Sequence, residues 1–257
     1  MPSLNQILTL ARVPNIPTVW SNVLMAWTLA GENGLWGLAA ALFGGTLLYA
    51  GGCTLNDACD ARWDRTHKPD RIIPSMAMTE RAVWTLGLGE MGMGLLMMIL
   101  AHPGTWFLPL GLAVAILAYD FRHKESPWSV VVMGACRALL VLAAAGVQGA
   151  WQDVRVLIVA GVVWFYIIGL SLLARRESRP GGGLLRWLRP GWSVGRWVGE
   201  MLAAIPLVDA ALLMALGMGQ AGPAGVVPGT GGAWGMALIC LLLWPLCRLL
   251  QRKYPAT

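Results

Sequence analysis

Charged residues are scarce in this sequence. Asp, Glu, Lys and Arg make up 12% of its 257 residues, about half the share in an average soluble domain, whereas hydrophobic residues make up 57%. The mean hydropathy is +0.62. A soluble core could not bury this much apolar surface, so the composition excludes an ordinary soluble domain and predicts an integral membrane protein.

Cysteine is also uncommon. The five cysteines form no C-x-x-C pair and no Cys/His cluster with the spacing of a zinc site. The sequence therefore supports neither a disulfide framework nor a structural zinc site.

The sequence also lacks a linker rich in Pro, Gly or Ser that would separate two domains. We expect one transmembrane domain over residues 1–257, with residues 1–11 forming an interfacial helix rather than a signal peptide.

Long apolar segments recur along the chain about eight times, and most are long enough to cross a hydrocarbon core of ~30 Å. They are Ile16–Ala30, Leu35–Cys53, Ala82–Ala101, Trp106–Ala118, Val130–Gly149, Leu157–Leu173, Met201–Met218 and Trp234–Leu250. The predicted fold class is therefore an all-α polytopic membrane protein, a helical bundle of about eight transmembrane helices.

Lys and Arg are distributed unevenly between the two sides of this predicted bundle. If the N-terminus is cytoplasmic, all 19 basic residues except Arg137 and Arg155 lie at the cytoplasmic side, where basic loops are retained. We therefore expect a cytoplasmic N-terminus in a bacterial inner membrane. The net charge of +6 follows from this topology and from attraction to anionic membrane lipid, so it does not indicate a nucleic-acid partner.

A cluster of carboxylates follows the second predicted span. Residues 55–65 read Leu-Asn-Asp-Ala-Cys-Asp-Ala-Arg-Trp-Asp-Arg, and a helix here places Asp57, Asp60 and Asp64 on one face, with Asn56 one turn before Asp60. Neighbouring carboxylates repel each other, and a divalent cation relieves that repulsion. Mg²⁺ suits an open cluster because it binds one or two carboxylates together with substrate phosphate oxygens.

The same residues have a second interpretation, a solvated helix face with salt bridges, because Arg62, Arg65 and Lys68 are interleaved with the carboxylates. The loop that follows, residues 65–75, is basic and contains two prolines. If it folds over the carboxylates, it brings Lys68 and Arg71 to an anion bound there. Carboxylates and cations at one point favour a metal–phosphate ligand.

Two adjoining patterns favour the metal–phosphate site over the solvated, salt-bridged helix face. Residues 56–64 read Asn-Asp-x-x-Asp-x-x-x-Asp, and residues 68–75 read Lys-Pro-x-Arg-x-x-Pro-Ser. Together they resemble the first aspartate-rich motif of the UbiA superfamily of intramembrane prenyltransferases. The pattern formed by Arg12, Asn15, Pro17, Thr18 and Asn22 resembles that family's first helix. Residues 119–124, Tyr-Asp-x-x-x-Lys, together with Arg137, resemble its stretch between the fourth and fifth helices.

This resemblance covers roughly residues 10–180 and implies an activity. Family members bind an isoprenyl diphosphate through Mg²⁺, ionise it, and attach the prenyl group to an aromatic or lipid-like acceptor. It therefore implies a Mg²⁺-dependent prenyltransferase whose partners are a prenyl diphosphate, an unknown hydrophobic acceptor and membrane lipid. The implied catalytic and metal-binding residues are Asp57, Asp60 and Asp64. The implied substrate-binding residues are Asn56, Lys68, Arg71, Lys124, Arg137, Arg175 and Arg176.

The sequence departs from the family after the sixth predicted span. Family members carry a second motif of the type Asp-x-x-x-Asp there, whereas residues 166–178 contain no aspartate and one carboxylate, Glu177. In this respect the chain resembles a divergent branch of the superfamily, the EboC-like proteins. Because arginine binds phosphate oxygens bidentately, we expect Arg175 and Arg176 to take the place of a second metal ion.

A second function is open at this point: a UbiA-like protein that binds or translocates a lipid diphosphate without prenyl transfer. A phosphotransferase of the CDP-alcohol type is disfavoured, because its Asp-Gly-x-x-Ala-Arg pattern is absent.

Two charged residues inside the predicted spans, Arg137 and Asp209, also need an explanation. Arg137 needs a partner, for which a diphosphate or a motif carboxylate would serve. Asp209 either lines a substrate cavity or pairs helices.

Overall fold

A computed structural model describes residues 4–31, 34–122, 126, 128–177, 194–217 and 230–254 of the chain. Within these ranges all regular structure is helical. The α-helices are α1 (Leu4–Leu10), α2 (Ile16–Ala30), α3 (Leu35–His67), α4 (Glu80–Ala101), α5 (Phe107–Arg122), α6 (Ser129–Gly146), α7 (Val154–Glu177), α8 (Val194–Ala203), α9 (Ile205–Gly217) and α10 (Thr230–Lys253).

Several of these helices have the length and composition of membrane spans. In the described ranges, six segments are long and apolar enough to cross a bilayer: Leu35–His67, Glu80–Ala101, Ser129–Gly146, Val154–Arg175, Gly195–Gly217 and Gly232–Lys253. Large apolar side chains such as Phe43, Leu100, Phe165 and Leu242 are more than 60% exposed on them, as lipid-facing side chains would be. The predicted all-α, multi-pass integral membrane fold is thus confirmed.

The number of spans and the orientation of the N-terminus stay predictions. The predicted first span coincides with α2, and the predicted fourth span lies largely within α5. These helices contain 15 and 16 residues, fewer than the ~20 apolar residues that a full crossing needs. The six longer segments therefore account for most of the eight predicted spans.

Helix α3 is longer than its apolar part. It contains 33 residues, which corresponds to a length of about 50 Å, whereas the hydrocarbon core of a bilayer measures ~30 Å. The span predicted to end at Cys53 continues as an unbroken helix to His67. The aspartates of the motif therefore lie on the last turns of a continuous helix, as the hypothesis of a carboxylate face requires.

Glycines bring the backbones of α3 and α4 into close contact. A Cβ atom added at Gly94 would lie 2.7 Å from the carbonyl oxygen of Gly44, and one added at Gly51 would lie 2.9 Å from that of Gly87. Such approaches are possible only without a side chain, and small residues are common at contacts between membrane helices for this reason. These two crossings fix α3 against α4 along its length and so hold the motif end in place.

Helix α2 lies at the centre of the described bundle, where it contacts α3, α6, α9 and α10. Its residues Val19, Val23, Met25 and Ala26 have no exposed surface. It is therefore surrounded by protein rather than by lipid. This position also buries the polar side chains of α2, which must find hydrogen-bond partners on neighbouring helices.

Candidate functional site

The loop after α3 folds back onto the carboxylate face and brings Arg71 to it. Arg71 Nη1 donates a hydrogen bond to Asp57 Oδ1 at 2.7 Å and lies 3.5 Å from Asp64 Oδ2. Ile73 anchors the loop, because its buried side chain packs in the same apolar cluster as Ala58 of α3. One guanidinium group thus bridges two carboxylates that are seven residues apart in the helix.

A second cation reaches this face from the N-terminal end of α2. Arg12 Nη2 donates to Asn56 Oδ1 at 3.2 Å and lies 3.5 Å from Asp57 Oδ1. The backbone of Arg12 is left-handed, with φ of 43°, which few residues other than glycine adopt. The turn that holds this conformation directs the arginine towards α3. Asp57 therefore lies beside two guanidinium groups.

Helix α5 contributes a carboxylate to the same cluster. Asn56 Nδ2 donates to Asp120 Oδ1 at 3.2 Å, while the oxygen of the same Asn56 amide accepts from Arg12. Asp120 is 5% exposed. The amide of Asn56 thus links a cation on one side to a carboxylate on the other, and its orientation is fixed by both contacts.

The remaining aspartates of the motif are also buried. Asp60 is 9% exposed and Asp64 is 1% exposed. In the described part of the chain, Asp64 Oδ1 has no hydrogen-bond partner. A buried carboxylate oxygen without a hydrogen bond is energetically costly, and a ligand that binds it removes that cost.

These residues fit a weakly preorganised Mg²⁺ site rather than a closed metal cage. Among the described residues, no three His, Cys, Asp or Glu side chains lie close enough together to enclose a metal ion. Mg²⁺ does not require such a cage, because it retains waters and binds one or two carboxylates together with phosphate oxygens. The oxygen of Asp64 that lacks a hydrogen bond is suited to that role.

Two other predicted substrate ligands, Lys68 and Arg175, contact residues other than the motif carboxylates. Lys68 Nζ lies 5.9 Å from the centre of the Trp63 ring, on the exposed side of the loop. Arg175 Nη2 donates to the carbonyl oxygen of Ser126 at 2.7 Å and to the hydroxyl of Ser129, and so ties the end of α7 to the start of α6. Lys124 and the side chain of Arg176 fall outside the described residues.

Arg137 has partners, but they differ from the expected ones. Its guanidinium donates to Asn22 Oδ1 at 3.1 Å and to Thr18 Oγ1 at 2.9 Å, and it lies 5.5 Å from the ring centre of Tyr49. We expected a diphosphate or a motif carboxylate. In this structure the polar residues of α2 are its partners, because that helix is central and presents them to α6.

The same polar stretch of α2 binds Asp209. Asn22 Nδ2 donates to Asp209 Oδ2 at 2.8 Å, and the hydroxyl of Ser21 donates to the same oxygen. Asn22 therefore accepts a bond from Arg137 and donates one to Asp209. This network joins α2, α6 and α9, and it favours the helix-pairing role for Asp209 over the substrate-cavity role.

The sequence-based site omitted Arg12 and Asp120. Both residues lie in stretches that resemble the family, so this resemblance could have indicated them as site residues. Each comes from a segment remote from the motif: 44 residues separate Arg12 from Asn56, and 64 residues separate Asn56 from Asp120. Arg12 and Asp120 lie at the cluster because of how the helices pack. The spacing of residues along the chain does not predict that packing.

Comparison with known proteins agrees with this architecture. The model of the UbiA prenyltransferase family matches residues 15–257. A digeranylgeranylglyceryl phosphate synthase of Metallosphaera sedula is 36% identical over 80 residues, which cover 31% of this chain and 28% of that protein. A 4-hydroxybenzoate octaprenyltransferase of Citrobacter koseri is 30% identical over 122 residues, which cover 46% of this chain and 41% of that protein. The matched segments thus span less than half of either relative.

Solved structures share the fold along nearly the whole chain. A structure described for digeranylgeranylglyceryl phosphate synthase in membranes superposes with a TM-score of 0.61 at 16% identity, covering 97% of both chains. A UbiA homologue from Archaeoglobus fulgidus bound to DMAPP and Mg²⁺ gives a TM-score of 0.57 at 12% identity, covering 97% of this chain and 88% of that one. Because the family model extends over almost the full sequence, the chain belongs to the UbiA prenyltransferase family.

Proposed function

We propose that this chain is a membrane prenyltransferase that transfers an isoprenyl group from a prenyl diphosphate to an aromatic or lipid-like acceptor in a Mg²⁺-dependent reaction. The observation that carries the proposal is the position of Arg71 between Asp57 and Asp64 at one end of α3. Carboxylates bind a divalent cation, and neighbouring guanidinium groups bind phosphate oxygens. The A. fulgidus relative that binds DMAPP and Mg²⁺ supports this class of ligand.

The metal ion would be held by one or two of the three aspartates of α3, which are Asp57, Asp60 and Asp64. When bound, Mg²⁺ neutralises charge on the leaving diphosphate. Arg71 and Arg12 lie at the same end of the bundle, and their planar guanidinium groups bind phosphate oxygens bidentately. The further diphosphate contacts that we propose come from Asn56, Lys68, Lys124, Arg137, Arg175 and Arg176.

The reaction needs no covalent bond to the protein. The allylic carbon–oxygen bond of the prenyl diphosphate breaks, and both electrons leave with the diphosphate. The acceptor then donates an electron pair to the allylic carbon and loses one proton. The arginines stabilise the charge that develops on the leaving group, and the apolar interior of the bundle keeps water from the allylic cation.

We place this site at the cytoplasmic face of a bacterial inner membrane. The support is the charge distribution: the site end of α3 and the loop after it carry Arg62, Arg65, Lys68 and Arg71, and basic residues resist translocation. A water-soluble diphosphate group can reach a site at this face, while its prenyl chain enters the apolar bundle.

The test is a product assay. The chain of 257 residues, purified and reconstituted in lipid, is incubated with Mg²⁺, radiolabelled prenyl diphosphates of several chain lengths and a host lipid extract. Formation of a radiolabelled prenylated product supports the proposal. Saturable binding of the prenyl diphosphate without any product would favour instead a protein that binds or translocates a lipid diphosphate. The absence of aspartate from residues 166–178 is the observation that keeps this alternative in the test.

A further inference from the structure

The last turn of α7 holds the connection between α5 and α6. Arg175 Nη2 donates to the carbonyl oxygen of Ser126 at 2.7 Å and to the hydroxyl of Ser129, the first residue of α6. Ser129 is 6% exposed. Hydrogen bonds from a charged donor are stronger than those between neutral groups. We call these two contacts of Arg175 the α7 clamp.

Ser126 is also bonded to the end of α5. Its backbone N–H donates to the carbonyl oxygen of Arg122, the last residue of α5, at 3.2 Å. Its carbonyl oxygen accepts from the backbone N–H of Ser129 at 3.3 Å as well as from Arg175. One loop residue therefore joins the end of α5, the start of α6 and the last turn of α7.

The end of α5 carries a residue of the candidate site. Asp120 precedes Arg122 by two residues, and its Oδ1 accepts from Asn56 Nδ2 at 3.2 Å. The oxygen of the same Asn56 amide accepts from Arg12. Hydrogen bonds weaken steeply when their distance or angle changes, so a shift of this helix end would loosen the amide of Asn56.

We propose that Arg175 is a positioning residue for the site. The α7 clamp fixes the end of α5 and so keeps Asp120 within reach of Asn56. The inference rests on the proposed function, because that function makes Asn56 a contact of the diphosphate. It goes beyond that function, because it gives Arg175 an effect on binding that passes through Ser129 and not only through direct contact with the diphosphate.

Equilibrium binding of a radiolabelled prenyl diphosphate in the presence of Mg²⁺ separates these two effects. Ser129→Ala keeps the charge of Arg175 and removes one bond of the α7 clamp. We expect its Kd to rise at least about threefold. Arg175→Met removes both bonds, and we expect a rise of at least about tenfold. The double variant should bind no more weakly than Arg175→Met, because both changes break the same clamp.

The matched control is Thr85→Ala, which also removes a hydroxyl group. Thr85 lies on the exposed face of α4, and its hydroxyl donates to the carbonyl oxygen of Arg81 in the same helix. Its Kd should equal that of the wild type. The thermal midpoint of each variant in detergent shows whether it is folded.

A second measurement tests the α7 clamp without any ligand. In a background without the five native cysteines, spin labels at Arg122→Cys on α5 and Leu172→Cys on α7 report the distance between the two helices by pulsed electron paramagnetic resonance. Both positions are exposed. We expect the distance distribution to broaden when Arg175→Met is added, because the end of α5 is then no longer tied to α7.

An unchanged Kd in Ser129→Ala overturns the inference, whatever the Kd of Arg175→Met, because Arg175 would then act on the diphosphate by direct contact alone or not at all. A distance distribution that Arg175→Met leaves unchanged also overturns it. Failure of the proposed function differs from both results: the wild-type chain forms no prenylated product or does not bind the prenyl diphosphate. The distance distributions then decide whether the α7 clamp exists.

Discussion

Arg71 and Asp57 are fourteen residues apart in the sequence, yet Arg71 Nη1 lies 2.7 Å from Asp57 Oδ1. Asp57 is partly buried, with 15% of its side chain exposed, and Arg12 lies beside it as well. The two guanidinium groups beside this carboxylate offset part of the electrostatic cost of burying it. This arrangement keeps charges of both signs at the end of α3, where a metal ion and a diphosphate would need them.

Replacement of Asp57 should therefore affect ligand binding more than folding. We expect Asp57→Asn to weaken Mg²⁺-dependent binding of a prenyl diphosphate at least about tenfold, because the variant retains an oxygen for Arg71 but loses the charge that attracts the metal. Equilibrium binding of a radiolabelled prenyl diphosphate to reconstituted protein measures this. Unchanged affinity in Asp57→Asn would support the solvated, salt-bridged helix face instead.

The close contact between α3 and α4 gives a prediction about stability. Gly94→Ala places a Cβ atom 2.7 Å from the carbonyl oxygen of Gly44, so the two backbones must separate. We expect a loss of about 1–3 kcal/mol in unfolding free energy, seen as a lower thermal midpoint in detergent. Gly92→Ala on the same helix is the control, because a Cβ atom there meets no atom within 4 Å. Equal midpoints for the two variants would contradict the predicted clash.

The contribution of Arg137 to the stability of the helix bundle can be measured. Arg137→Met removes the donors to Asn22 and Thr18, and we expect a loss of about 1 kcal/mol from two interhelical hydrogen bonds. Thermal unfolding in detergent measures this. The charge-matched control is Arg122→Met, at an exposed position at the end of α5. Unchanged stability together with weaker binding of the prenyl diphosphate would show instead that Arg137 acts mainly on the ligand.

Cysteine labelling tests the proposed side of the membrane. In a background without the five native cysteines, Lys68→Cys should react with a membrane-impermeant thiol reagent only after the cells are opened, because the basic loop is expected to be cytoplasmic. A cysteine at Trp151, between α6 and α7, is the matched control and should react in intact cells. Reaction at position 68 from outside the cell would contradict the cytoplasmic placement of the site.

Much of the fold followed from local features of the sequence. Apolar segments of sufficient length predict spans, and the spacing of Asp57, Asp60 and Asp64 predicts a helical face that α3 does contain. The basic loop with two prolines also suggests a return of the chain over this face, and Arg71 does contact Asp57 there. Each of these features depends on residues that lie close together along the chain.

The remaining parts of the site depend on packing between distant helices. Asp120 reaches Asn56 only because α5 lies beside α3, and Arg137 reaches Asn22 only because α2 is central. Hydrophobic patterns hardly distinguish the neighbours of a membrane helix, because lipid-facing and protein-facing surfaces are both apolar. The sequence therefore marks the polar residues inside spans as unusual but does not identify their partners.

The central claim is that the carboxylates of α3 support metal-dependent prenyl transfer, and the rate of product formation in wild type and Asp64→Asn tests it most directly. Asp64 is buried, and its Oδ1 has no hydrogen-bond partner in the described part of the chain. We predict that wild-type protein forms a prenylated product only with Mg²⁺ present, that Asp70→Asn does the same, and that Asp64→Asn loses at least about tenfold of this rate while remaining folded. Product formation at the wild-type rate by Asp64→Asn, or by wild type without a divalent cation, would contradict the account.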